Sequence, residues 1–180
     1  MKSREIHIHS LALATVSLLL AGAALAQDPP LAVDLVATFV TGFADGGAIN
    51  VQGVAPVRRT EAGIYVATAP GGGQVGLVVE EKSHCNFAMT FVQGDQVIVT
   101  MHLNADLLKD VIVSEYGARA DGLHDFDITV VGGEGTLLAE TSAGVAPPGS
   151  NTSQIQTTMT KEELQAAFDT FRATYCPGSG

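Results

Sequence analysis

Three histidines of this 180-residue chain, His84, His102 and His124, have neighbours suited to metal or proton chemistry. His84 precedes Cys85 and His102 follows Met101, and Cu(I) accepts imidazole, thiolate and thioether ligands. In a strand, however, adjacent residues point to opposite faces, so neither pair converges on one ion. The chain after residue 26 also has no His-x-His or His-x-x-x-His spacing. The pattern therefore favours histidines on strand faces or edges over a built metal site.

Two carboxylates follow the last of these histidines. Asp125 and Asp127 share a face if the segment is a strand, and such a pair suits proton transfer or a hard cation. A calcium loop would need more oxygen ligands and a glycine at a fixed place, which the segment lacks. One functional hypothesis is thus a small metal-binding protein or enzyme that uses His84, His102 or His124 with this pair.

Motifs for nucleophilic or phosphate chemistry are missing from the sequence. It contains neither Gly-x-Ser-x-Gly nor Ser-x-x-Lys, and its glycine clusters lack the Lys-Ser/Thr of a phosphate-binding loop. We therefore assign no catalytic, cofactor-binding or metal-binding residue from the sequence.

The amino terminus has the three parts of a secretory signal peptide. Lys2 and Arg4 precede an apolar run over residues 11–26 that ends in Ala-Leu-Ala. The run is shorter than the ~20 residues that a membrane-spanning helix requires. We predict cleavage between Ala26 and Gln27, which leaves no membrane anchor. The protein is expected to be exported, to the periplasm if the source is a Gram-negative bacterium and otherwise by secretion.

The predicted compartment determines how the two cysteines, Cys85 and Cys176, are interpreted. In an oxidising environment a lone pair of cysteines is most simply a disulfide. The alternative is two free thiols, but the chain has no Cys-x-x-Cys motif and neither cysteine lies in a cluster typical of a nucleophile. We expect a disulfide between the sheet and the last helix.

Charge restricts the class of partner. Removal of Lys2, Arg4 and Glu5 with the signal peptide leaves seven basic and eighteen acidic residues, a formal charge of −11. Such a surface repels nucleic acid and favours basic partners. The leading functional hypothesis is an exported, non-enzymatic binding or accessory protein, with a basic protein as the partner class that the charge favours.

Hydrophobic periodicity predicts the elements that would position these residues. Residues 27–180 are expected to form one small domain, since no linker divides them. The fold class predicted is α+β, a mostly antiparallel sheet packed by two or three helices and closed by one disulfide. The expected helices cover residues 31–43, ended by Gly46-Gly47, a segment from Asn104 to Gly117, and a segment after Thr160 with a capping box to Glu163. The expected strands cover residues 63–69, 74–81, 84–92, 96–102 and 126–131, with 136–141 returning beside the last and 142–153 as a loop.

Overall fold

A computed structural model describes residues 31–141, 144–145 and 151–177. The predicted signal peptide and its cleavage site lie outside the described residues. These residues form two α-helices, α1 (Ala32–Thr41) and α2 (Lys161–Thr174), together with a 3-10 turn at Ala105–Leu107. The eleven strands are β1 (Ala48–Asn50), β2 (Val54–Arg59), β3 (Tyr65–Thr68), β4 (Gln74–Ser83), β5 (Asn86–Gln93), β6 (Gln96–Asn104), β7 (Leu108–Ala118), β8 (His124–Gly132), β9 (Leu137–Thr141), β10 (Gly144–Val145) and β11 (Thr152–Thr157).

All eleven strands belong to one antiparallel sheet in the order β10-β9-β6-β5-β4-β3-β2-β1-β11-β8-β7. Strand β2 pairs with two different strands: Val54–Pro56 pair with β1, and Val57–Arg59 pair with β3. This strand therefore joins two half-sheets. The first half-sheet is β3, β4, β5, β6, β9 and β10, and the second half-sheet is β1, β11, β8 and β7.

Helix α1 lies between the two half-sheets. It contacts β4 and β5 on one side and β8 and β11 on the other. None of its ten residues is exposed, and Leu35, Val36, Ala37, Phe39 and Val40 are all buried. Because apolar residues make up most of its surface, α1 is stabilised by packing against both half-sheets.

Helix α2 covers α1 on the side that the sheet leaves open. Phe39 of α1 contacts Phe168 and Phe171 of α2, with ring centroids 5.5 and 5.3 Å apart. The predicted capping box is confirmed, since Thr160 accepts from the Glu163 amide and the Glu163 carboxylate accepts from the Thr160 amide. This cap satisfies two backbone donors that would otherwise lack partners at the start of α2.

The predicted disulfide between Cys85 and Cys176 is confirmed. Both cysteines are buried, and their Cα atoms lie 6.0 Å apart. The bond joins the β4–β5 turn to the end of α2. On the opposite side of α2, Arg172 Nη1 donates to the carbonyl of Lys109 at 2.9 Å. The last helix is therefore held to both half-sheets.

The predicted α+β fold class is wrong, because the described part of the chain is a β-rich fold with two helices. The helix predicted from Asn104 to Gly117 is instead one 3-10 turn, capped by Asn104, followed by β7. A bulge between Leu108 and Asp110 places Leu108 and Val111 on one face at a spacing of three. That spacing imitates a helical stripe, whereas the β-branched run Val111–Val113 pairs along its length with β8.

Three smaller expectations also fail. Helix α1 ends at Gly42, whose φ of 71° gives the left-handed C-cap, and not at Gly46-Gly47. Strand β9 does not return beside β8 but pairs with β6 in the first half-sheet. The predicted loop 142–153 contains β10 and the first two residues of β11. Along β11, Ser153, Ile155 and Thr157 face the core.

Candidate functional site

The structure keeps the three candidate histidines on separate elements. His84 lies in the β4–β5 turn. His102 Nε2 on β6 lies 3.6 Å from a Glu140 carboxylate oxygen, and His124 Nδ1 on β8 lies 2.7 Å from one of Glu115. Among the described residues, no group of three or more His, Cys, Asp or Glu side chains is arranged to hold a metal ion. Nothing in the geometry therefore joins these histidines into one site.

Asp125 and Asp127 share the outward face of β8, as their spacing predicts. His124 lies on the opposite face, where its ring stacks on Phe126. Gln156 of β11 donates to Asp125, so this carboxylate belongs to a polar ladder across the sheet. Asp127 Oδ1 is buried and has no hydrogen-bond partner among the described residues.

The feature that most resembles a binding site, in its combination of shape and lining, is an open pocket of about 270 Å³, here called the β1–β11 pocket. It lies where the carboxyl end of α1 meets both half-sheets. Its apolar lining consists of Val40, Phe43, Ile49, Phe91, Val99, Met101 and Ile155. Its polar lining consists of Thr41, Asn50, Ser153, Gln154 and Gln156. None of these twelve residues carries a formal charge.

The two half-sheets contribute different walls to the pocket. Phe91, Val99 and Met101 come from the inner face of β5 and β6, where Phe91 is paired with Val99 in register. Phe43 closes the bottom, with its ring 5.9 Å from that of Phe91. The polar residues come mainly from β1 and β11. The pocket is therefore amphipathic: β5 and β6 contribute only apolar residues, whereas β1 and β11 contribute neutral polar residues together with Ile49 and Ile155.

The polar wall is the place where the sheet splits. Strands β1 and β11 share one registered pair, Ile49 with Thr157. Beyond Asn50 the chain turns back into β2, because Gln52 has a φ of 54° and Val51 N donates to Gly53 O. Strand β11 continues for four more residues, to Thr152, and among the described residues no strand pairs with that stretch on its β1 side.

A polar clasp fixes α1 against the first half-sheet. Tyr65 of β3 donates to Asp34 Oδ1 at 2.5 Å, and Arg59 Nε lies 2.8 Å from the same oxygen. The Arg59 N–H is not aligned for a hydrogen bond, so this second contact is an ion pair. Burial, and then the hydrogen bond to Asp34, raises the pKa of the Tyr65 hydroxyl well above its usual range. The clasp holds the helix whose far end forms the pocket.

Sequence reasoning missed this pocket because its residues come from five separate elements. The one local signal was the alternation of Phe87, Met89 and Phe91, which identifies the inner face of β5. The alternation could not show that part of that face stays open to solvent.

The sequence matches no protein-family model, and comparisons with curated proteins and with solved structures likewise give no match. Among the described residues, neither helix is long and apolar enough to span a membrane.

Proposed function

We propose that this protein is an exported, non-enzymatic binding protein that holds the apolar part of its ligand in the β1–β11 pocket. The observation that carries the proposal is the open pocket with a mainly apolar lining and polar lining residues that carry no charge. Concave sites of this composition are the usual places where proteins bind small molecules. Export is supported by the predicted signal peptide and by the disulfide, since such bonds persist in oxidising compartments.

The size of the pocket sets the size of the ligand. A volume of 270 Å³ corresponds to roughly nine water molecules at about 30 Å³ each. A straight-chain alcohol such as 1-octanol, with nine non-hydrogen atoms, is therefore a suitable probe. At about 0.6 kcal/mol per atom, within the usual limits for small ligands, it would bind with a Kd of about 0.1 mM.

The experiment is a titration of the methyl-labelled protein with 1-alkanols of increasing length, followed by NMR. Each added methylene that is buried should increase affinity about fourfold, since it contributes about 0.8 kcal/mol. We expect this increase to stop once the chain fills the pocket. An affinity that rises without a plateau, or shifts at methyls away from the pocket, would contradict the proposal.

Two tryptophan variants on β6 provide a matched comparison. Val99 lines the pocket, whereas the adjacent Ile98 is 45% exposed and does not line it. Val99→Trp should fill the pocket and abolish alkanol binding, and Ile98→Trp should leave it unchanged. The natural chain has no tryptophan, so the fluorescence of each variant also reports whether it is folded.

A further inference from the structure

The free stretch of β11 presents backbone hydrogen-bonding groups at the edge of the pocket. Val130 N donates to Asn151 O at 2.7 Å, which fixes the alternation of the β8–β11 ladder. In an antiparallel pair, every second residue exchanges hydrogen bonds with its partner strand. Ser153 and Ile155 therefore bond to β8, and the N–H and C=O of Gln154 point the other way, toward the split.

Nothing among the described residues pairs with Gln154 on that side, because β1 has already turned away after Asn50. A free strand edge is a template for another extended chain. We propose that the natural ligand of the β1–β11 pocket is an extended peptide that adds to the sheet at Gln154, in the position that β1 would occupy if it continued. This inference rests on the proposed function, since it names the class of ligand for the same pocket.

The register of such a peptide follows from the strand geometry. The residue opposite Gln154 would donate its N–H to the Gln154 carbonyl and accept from the Gln154 amide. Its two neighbours would point inward, to the same side as Ser153 and Ile155, which is the side of the pocket. Apolar side chains at these two positions would meet Phe43 and the Phe91 wall.

The side chain of the central peptide residue would lie beside Gln154 on the outward face. Asp127 is the β8 partner of Gln154 on that face, and its Oδ1 is buried without a partner among the described residues. The peptide would lie about 10 Å from β8, two strand spacings away. A lysine at the central position is long enough to reach this carboxylate, so the preferred peptide has the order apolar, basic, apolar.

The test uses two peptides, acetyl-Leu-Lys-Leu-amide and the same peptide with a methyl group on the backbone nitrogen of its lysine. Each is titrated into the ¹⁵N-labelled protein. Methylation removes one hydrogen bond to Gln154 and blocks close approach, so it should weaken binding at least tenfold. The parent peptide should shift the Gln154 amide resonance and slow its hydrogen exchange. A Leu-Glu-Leu peptide should bind more weakly than Leu-Lys-Leu, and Asp127→Asn should reduce that difference while leaving alkanol binding unchanged.

The outcomes separate this inference from the proposed function. If alkanols bind and the peptides do not, or if methylation has no effect, peptide pairing is overturned and the apolar pocket stands. If the peptides bind and the alkanols do not, the edge pairs with a peptide and the apolar pocket is overturned. If neither class binds, both proposals fail.

Discussion

Loss of the Cys85–Cys176 bond should remove a large part of the folding free energy. The two cysteines are 91 residues apart. In the chain-entropy model, a cross-link of this length restricts the unfolded chain by about 4.6 kcal/mol at 25 °C. Small domains have free energies of unfolding of about 5–15 kcal/mol, so the disulfide would account for about a third or more of the total. For a chain of this size the melting temperature should fall by roughly 9–18 °C.

The native contacts of α2 should largely survive this loss. Phe171 still packs on Phe39 and Phe87, and Arg172 still donates to Lys109. We therefore expect Cys85→Ala/Cys176→Ala to fold with its helix content intact, at a lower midpoint in urea. Circular dichroism in a urea series gives the free energy of unfolding by linear extrapolation.

Reductant provides the control. It should lower the midpoint of the natural protein to nearly that of the double variant and have no effect on the variant itself. A thiol count establishes that reduction is complete. If the fully reduced natural protein unfolds at the same urea concentration as the oxidised protein, the reasoning about chain entropy is refuted.

Three further substitutions test the positioning of α1. Tyr65→Phe removes the hydrogen bond to Asp34 and should destabilise the protein by about 1.5–3 kcal/mol at pH 7. Because the folded state raises the Tyr65 pKa, the unfolded chain releases this proton first, near pH 10, and stability falls as pH rises from there. Urea titrations from pH 8 to 11 should therefore show a smaller fall in the free energy of unfolding for the variant than for the natural protein. The same pH dependence in both proteins would count against the clasp. Gly42→Ala should destabilise by about 2 kcal/mol, because its φ is 71° and a Cβ would lie 3.0 Å from Ile155 Cδ1. Gly46→Ala, with a φ of 78° and no atom within 4 Å of an added Cβ, should reduce the free energy of unfolding by only about 1 kcal/mol, and equal reductions for the two variants would show that α1 does not pack tightly on β11.

Local sequence patterns were sufficient to predict the elements whose hydrogen-bond partners lie close by in the sequence. The hairpins β3–β4 and β5–β6 follow from alternation and glycine turns, and the capping box at Thr160 follows from residue types three apart. The disulfide followed from compartment and count, since two cysteines allow a single intramolecular pairing.

Tertiary pairing determined the elements that the sequence did not predict. Strand β7 was mistaken for a helix because its bulge imposes a spacing of three on Leu108 and Val111. Strand β11 was not predicted: its first two residues fell in the expected loop and the others were left unassigned. Ile155 is its one apolar residue, and the burial of Ile155 depends on α1 lying above it. The pocket combines both half-sheets, so no local window of sequence contains it.

The central claim is that the pocket between α1, β6 and β11 binds the apolar part of a ligand. The most direct measurement is of intermolecular nuclear Overhauser effects between protons of 1-octanol and methyl groups of the protein. Met101 belongs to the first half-sheet and Ile155 to the second, and both line the pocket. The account predicts that one bound alkanol shows contacts to both methyl groups at once. Contacts confined to exposed residues such as Val97 or Ile112, with none to Met101 or Ile155, would contradict it.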